Sequence, residues 1–125
     1  MAPQKILIVD DEPVVVTLLK VRVASRGFLV EIATDGISGL DKAKMWQPDL
    51  ILLDIAMPEM DGYETCRRLK AMKETAHIPV VLFTAAQEAH LEVMAQNAGA
   101  AGVVQKPFVD QVFKIISEIL GPVSP

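Results

Sequence analysis

The sequence predicts an α/β fold in which helices cover both faces of one parallel β-sheet. Two observations support this prediction. Five short apolar runs occur along the 125 residues, most of them without polar alternation, which is typical of strands buried on both faces. A segment with helical spacing follows each run, and such alternation of strands and helices is typical of parallel sheets.

The strands are predicted from apolar runs, most of which are rich in Val, Ile and Leu. Glu31 interrupts the second run, and this break indicates a strand at the edge of the sheet. The predicted strands span residues 5–9, 28–32, 50–53, 79–83 and 102–104.

The helices are predicted from helical spacing and from residues that begin or end helices. Pro13 suits the first turn of the first helix, and Gly27 suits the residue just past its end. Pro48 would break a second helix that continued through it, and Gly121 with Pro122 ends the last helix. The predicted helices span residues 13–26, 36–46, 63–73, 88–98 and 108–120.

Composition and charge argue against several classes of protein. The formal net charge is −4 and no run of Lys or Arg occurs, so a nucleic-acid groove is not expected. The single cysteine, Cys66, excludes an internal disulfide and suits a reducing cytoplasm; we expect it to be partly buried. No apolar stretch reaches about 18 residues, and the N-terminus lacks a signal-peptide pattern, so we expect no membrane insertion. The length fits one domain over residues 1–125, with loose ends at 1–4 and 122–125.

Acidic residues follow two of the predicted strands. Five βα units favour the flavodoxin-like strand order 2-1-3-4-5, in which ligands bind at the carboxyl edge between strands 1 and 3. Strand 1 runs into Asp10 and Asp11, and strand 3 runs into Asp54. Three close carboxylates need a counter-charge, and Mg²⁺ prefers oxygen ligands. The alternative, in which Asp10 and Asp11 only cap the next helix, leaves Asp54 at the matching strand end unexplained.

Two further polar residues follow the remaining strands at the same edge. Thr84 ends strand 4, and Lys106 follows strand 5. Together with Mg²⁺, a lysine can neutralise the oxygens of a phosphoryl group, and a threonine hydroxyl can donate a hydrogen bond to one of them. The whole set therefore predicts a site for a phosphoryl group.

Four motifs in this order, ILIVDDEP, LILLDIAMPEMDG, VVLFTA and VVQKPF, resemble the receiver domains of two-component response regulators over essentially the whole chain. The resemblance implies that Asp54 attacks the phosphoryl group of a phosphohistidine on a sensor kinase or phosphotransfer protein. It implies Asp11, Asp54 and the backbone carbonyl of Ala56 as direct Mg²⁺ ligands, with Asp10 bound through water. It also implies that Lys106 pairs with the phosphoryl oxygens.

The resemblance further implies how the signal leaves the site. Thr84 would move onto the phosphoryl group and alter a partner face built from the fourth helix, fifth strand and fifth helix. This face would bind a downstream protein, an output domain of the same protein or a second copy of the chain; scattered surface apolar residues are the alternative. Its candidate residues are Thr84, Val93, Val103, Gln105 and Gln111, with His90 and Lys114 beside them.

Several positions extend or depart from the family pattern. Pro58 and Gly62 match the turn after Asp54, and Pro107 matches a position whose peptide bond is often cis. Val103 stands where the family usually has an aromatic ring that swings inward, so coupling to the surface would use other side chains.

Two alanines and two histidines also lie at positions that bear on function. Ala56 and Ala86 stand where side chains often influence attack of water on the phosphoryl group. We expect no output domain within these 125 residues. His77 and His90 are expected to be surface residues.

The leading interpretation is a phosphorylation-controlled signalling switch that turns over no external substrate. A degenerate receiver that binds partners constitutively is the alternative that Val103 favours. A Mg²⁺-dependent phosphatase of the haloacid dehalogenase type would need a second Asp at the position of Ala56. A flavodoxin-like FMN carrier would need a phosphate loop rich in glycine and hydroxyl groups after strand 1, where this chain has DDEP.

Overall fold

The computed structural model describes residues 3–85 and 89–121, in which strands and helices alternate along the chain. The strands are β1 (Lys5–Val9), β2 (Leu29–Ala33), β3 (Leu50–Leu53), β4 (Val80–Thr84) and β5 (Gly102–Gln105). The helices are α1 (Pro13–Ser25), α2 (Gly36–Trp46), α3 (Gly62–Ala71), α4 (Leu91–Asn97) and α5 (Val109–Leu120). None of these helices is long and apolar enough to cross a membrane.

The strands form one parallel sheet in the order β2-β1-β3-β4-β5, which confirms the predicted order. β2, which carries Glu31, lies at an edge as predicted. β1 lies between β2 and β3, and Val9 is paired with Leu53. β1 and β3 therefore end in register, and the residue that follows each of them lies at the same edge of the sheet.

The sheet is covered on both faces because successive side chains of a strand point in opposite directions. Side chains of β1, β3 and β4 other than that of Lys5 are almost completely buried, as their apolar runs predict. On one face they pack with residues of α2, α3 and α4, including Ala43, Cys66 and Ala95. On the other face they pack with residues of α1 and α5, including Leu19 and Ile116. Cys66 is fully buried rather than partly buried.

Five bounds of the predicted strands, in β2, β4 and β5, differ by one residue from those of the structure. β2 begins at Leu29, because the backbone N–H of Leu29 donates to the carbonyl of Gln4 and sets the register with β1. β4 begins at Val80, since Pro79 has no N–H to donate, and it extends through Thr84. β5 continues to Gln105, which pairs with Thr84.

The helix bounds differ most in α3 and α4. α3 begins at Gly62 and ends at Ala71, two residues before the predicted end, because Met72 adopts an extended conformation with φ −89° and ψ 128°. α4 begins at Leu91 rather than at Glu88, which lies outside the described residues. α1 ends at Ser25 and α5 begins at Val109, each one residue inside the predicted bound.

The loop after β3 is held close to the sheet by a glycine. A Cβ atom on Gly62 would lie 2.2 Å from the carbonyl oxygen of Asp54 and 2.7 Å from the Cα of Ile55. The N–H of Gly62 donates to the carbonyl of Ile55, and the carboxylate of Asp61 accepts from the N–H of Glu64 and caps α3. Only glycine allows the start of α3 to pack directly behind Asp54.

Candidate functional site

The neighbouring strands β1 and β3 place a pair of carboxylates side by side. Asp10 follows β1 and Asp54 follows β3, and the side chains of both are almost completely buried, with exposed fractions of 3% and 2%. The backbone N–H of Asp54 donates to the carbonyl of Val9, and that of Asp10 donates to the carbonyl of Ala33. Both residues are thus fixed by the hydrogen bonds that end the sheet.

Lys106 reaches this pair from the end of β5. Its backbone N–H donates to the carbonyl of Thr84, which anchors the start of its side chain. Its Nζ lies 2.9 Å from Asp10 Oδ2, 2.7 Å from Glu12 Oε1 and 3.4 Å from Asp54 Oδ2. Burial alone lowers the pKa of Lys106, but the hydrogen bonds to Glu12 and Asp10 and the nearby negative charges outweigh burial, so the pKa is raised. Lys106 is therefore a charged ammonium in the site.

Asp54 is the least satisfied polar group of the site. Neither oxygen of its carboxylate has a hydrogen-bond partner within the described residues, and both oxygens are buried. Burial and then the charge of Asp10 raise the pKa of Asp54, and Lys106 offsets only part of this effect. A buried carboxylate of this kind needs a further positive charge or hydrogen-bond donors.

The carboxylates present fit a hard divalent cation. Ligand oxygens of Asp10, Glu12 and Asp54 all lie within 4.8 Å of one another. Mg²⁺ is bound in proteins through carboxylate oxygens and keeps several waters, and it would satisfy the buried oxygens of Asp54. The acidic pocket is therefore compatible with Mg²⁺.

Glu12 belongs to this cluster, although the sequence reasoning did not single it out. Its backbone is extended, with φ −91° and ψ 109°, and its N–H donates to Asp10 Oδ1. Its carboxylate reaches Lys106. The available signal was the third acid in the DDEP stretch, because alternate residues of an extended segment share a side.

Two of the predicted metal ligands, Asp11 and the carbonyl of Ala56, are not part of the group of close carboxylates. Asp11 is exposed and lies outside the group of three close carboxylates found in the described part of the chain. Ala56 is exposed in the loop after β3. The roles of Asp11 and of the Ala56 carbonyl therefore stay predictions.

Thr84 lies at the predicted edge of the sheet. It is the last residue of β4, is fully buried and is paired with Gln105 in the neighbouring strand. Its backbone carbonyl binds Lys106, so the two residues are linked directly. The peptide bond between Lys106 and Pro107 is cis, as the resemblance implies.

A groove of about 490 Å³ lies on the predicted partner face, between α4, β5 and the start of α5. Val103 lies at this groove and packs partly against the core, where the family usually has a ring. Phe108 also lines the groove and is 52% exposed, a feature that the sequence reasoning missed. The groove is lined by Ala89, His90, Leu91, Glu92, Val93, Val103, Gln105, Phe108 and Gln111.

Predictions were also made for two histidines and for Ala86. His77 and His90 are exposed, as predicted. Ala86 lies outside the described residues.

Comparisons with known proteins agree with this geometry. A curated relative, the DNA-binding dual master transcriptional regulator RpaA of Synechocystis, is 38% identical over 104 residues, which are 83% of this chain and 43% of the relative. The chain thus spans less than half of the length of this relative. A putative response regulator from Chloroflexus aurantiacus is 28% identical in sequence, with a TM-score of 0.90 over 97% of this chain and 100% of the other.

A second solved structure of a similar protein contains a magnesium ion. The receiver domain of a sensor histidine kinase from Pseudomonas aeruginosa was solved with a magnesium ion coordinated in its active-site cleft. It is 32% identical, with a TM-score of 0.87, and the match covers 97% of this chain and 100% of the other. The family model described as the response regulator receiver domain matches residues 6–117. The strand order, the buried acidic edge and this match agree: the chain belongs to the response regulator receiver domain family.

Proposed function

We propose that this chain is a signalling switch that receives a phosphoryl group on Asp54 and changes its partner surface in response. The observation that carries the proposal is the state of Asp54, which is buried beside Asp10 and Lys106 and has no hydrogen bond to either carboxylate oxygen among the described residues. Receiver domains interact with histidine kinases or phosphotransfer proteins and with output domains. The donor proposed here is accordingly a phosphohistidine on a sensor kinase or phosphotransfer protein.

In the proposed step, a carboxylate oxygen of Asp54 attacks the phosphorus of the phosphohistidine. The new O–P bond forms as the P–N bond breaks, and the imidazole leaves with its electron pair. Such transfers have a loose transition state, so placing the reactants and neutralising charge supply most of the catalysis. Lys106 supplies one positive charge at the phosphoryl oxygens, and the hydroxyl of Thr84 would donate a hydrogen bond to one of them.

Mg²⁺ is the cofactor proposed for this site. The residues that would hold it are Asp10, through water, Asp11, Asp54 and the carbonyl of Ala56; the carboxylates of Asp10 and Asp54 lie close together. When bound, the ion would neutralise the oxygens of the transferred group. The magnesium ion in the related receiver domain from Pseudomonas aeruginosa supports this proposal.

The phosphoryl group on Asp54 adds close to two negative charges. It would be removed again by attack of water on the same chain, and we propose that no external substrate is turned over. We propose that the output is read at the face of α4, β5 and α5, by a downstream protein, an output domain or a second copy. Residues 1–125 would act as one receiver domain in the cytoplasm, where a lone cysteine stays reduced.

The test is mass spectrometry of the intact protein after incubation with acetyl phosphate and Mg²⁺. We expect a gain of one phosphoryl mass that is lost when EDTA replaces Mg²⁺ and is absent in Asp54→Asn. Asp41→Asn, at an exposed acid in α2, is the matched control and should be labelled like the original chain. No adduct at short times, with acetyl phosphate or a kinase as donor, would overturn the switch and leave a receiver that binds partners constitutively.

A further inference from the structure

Glu12 differs from the other two acids that contact Lys106 in its access to water. Its side chain is 54% exposed, whereas those of Asp10 and Asp54 are 3% and 2% exposed. Removing the cation from a buried carboxylate costs much free energy, but an exposed carboxylate can be solvated by water instead. Of the three acids, Glu12 is therefore the one that can leave Lys106 at low cost.

The contact that Glu12 makes is also the shortest of the three. Lys106 Nζ lies 2.7 Å from Glu12, within the range of a charge-assisted hydrogen bond, but 3.4 Å from Asp54, beyond that range. Glu12 and Asp10 together bind the ammonium more tightly than Asp54 does. In this arrangement the lysine is held partly away from the residue that it is proposed to serve.

The backbone of Glu12 is fixed, so only its side chain would need to move. Its N–H donates to Asp10 Oδ1, and its carbonyl accepts from the N–H of Val16 as α1 begins. Pro13 follows and restricts the chain further. The carboxylate can thus rotate into water without disturbing α1 or the strand end.

A phosphoryl group on Asp54 would bring close to two negative charges to the same ammonium. A carboxylate left 2.7 Å from that ammonium would then face these charges at short range, and like charges repel. We propose that Glu12 is a positioning residue whose carboxylate holds Lys106 in the resting state and gives up this contact to the phosphoryl oxygens. This inference rests on the proposed function, and it assigns Glu12 a role in setting how tightly the site holds a phosphoryl group.

The test is the affinity for trifluoroberyllate, a phosphoryl analogue, measured by ¹⁹F NMR with Mg²⁺ kept saturating for every variant. Glu12→Gln removes the charge and keeps the length, whereas Glu12→Asp keeps the charge and shortens the side chain. If the contact with Lys106 must break, both variants should bind the analogue about twofold to fivefold more tightly than the original chain. Glu59→Gln removes a charge from an exposed residue in the loop after β3 that does not contact Lys106, and its affinity should be unchanged.

Several results would overturn the inference while the proposed function stands. One is an original chain that binds the analogue and Glu12 variants that bind it equally well or more weakly. Another is an equal gain in Glu59→Gln, or a gain in Glu12→Gln alone, since either would mean that net charge and not the contact matters. A crystal structure with the analogue bound provides the second readout: we expect Glu12 more than about 4 Å from Lys106 Nζ. If the original chain fails to bind the analogue at all, the proposed function itself fails.

Discussion

The ammonium of Lys106 lies 2.9 Å from the carboxylate of Asp10, and both side chains are almost completely buried although they come from opposite ends of the chain. This pair joins the end of β5 to the end of β1 across the carboxyl edge of the sheet. Its cation also faces Asp54. The charge balance of the site therefore depends on a single lysine among the described residues, and this dependence can be measured.

Lys106→Met is expected to lower the free energy of unfolding by about 2 kcal/mol in metal-free buffer, because two neighbouring buried carboxylates lose their cation. Urea denaturation at neutral pH measures the change, and added Mg²⁺ should restore part of it. Lys73→Met, at an exposed lysine, should change the free energy of unfolding by less than about 0.5 kcal/mol. Equal stability of Lys106→Met and the original chain in EDTA would contradict the prediction.

Asp54→Asn is expected to stabilise the metal-free protein at neutral pH. The pKa of Asp54 is raised by burial and by Asp10, so the folded state keeps the proton to a higher pH than the unfolded state does. The contribution of Asp54 to stability is therefore full below the ordinary pKa of 3.8 and is lost as the pH rises through the raised value. At pH 7 the free energy of unfolding of Asp54→Asn should exceed that of the original chain by roughly 1 kcal/mol, which corresponds to about 3 to 5 °C in Tm.

The pH dependence of this gain is the decisive measurement. Thermal unfolding in EDTA should show the difference between Asp54→Asn and the original chain shrinking toward zero as the pH falls below about 3.8. Asp41→Asn, which removes the charge of an exposed acid, is the control for a change of net charge alone. If Asp54→Asn is less stable than the original chain at pH 7, the attraction between Asp54 and Lys106 outweighs the cost of burying the Asp54 carboxylate.

Gly62→Ala is expected to destabilise the protein by about 2 to 3 kcal/mol, because its Cβ would collide with backbone atoms of Asp54 and Ile55 that have little room to move. The same collision should displace Asp54 and weaken phosphorylation by acetyl phosphate. Gly27→Ala is the comparison: it has open space but a φ of +94°, and should cost about 1 kcal/mol without affecting phosphorylation. Similar losses of phosphorylation in both variants would remove the special role of Gly62.

Cys66 is expected to be unreactive in the folded protein. Its side chain is fully buried in α3, and burial raises the pKa of its thiol to about 11. An aromatic disulfide reagent such as dithionitrobenzoate should label it only after addition of guanidinium chloride. Rapid labelling of the native protein at pH 8 would show that α3 opens readily beside the site.

The position of Asp54 could be read from the sequence because it depends on local patterns. An unbroken apolar run marks a buried strand, and the residue after such a strand lies at the carboxyl edge of a parallel sheet. The same reasoning placed Asp10, Thr84 and Lys106 at that edge. The predicted end of α3 was two residues too late and the predicted start of α4 three residues too early, because caps and turns decide where a helix begins and ends and the apolar pattern does not.

By itself the sequence determined the alternation of strands and helices, the strand order and the set of residues at one edge of the sheet. Only the tertiary structure decided which side chains touch: it put Glu12 on Lys106, left Asp11 exposed and left both oxygens of Asp54 without a hydrogen bond within the described residues. It also left a groove beside Val103, lined by the exposed ring of Phe108. The physical reason is the distance along the chain over which each kind of information acts. Apolar periodicity reports burial over a few residues, whereas contacts between distant segments depend on strand register and side-chain direction, which no local pattern contains.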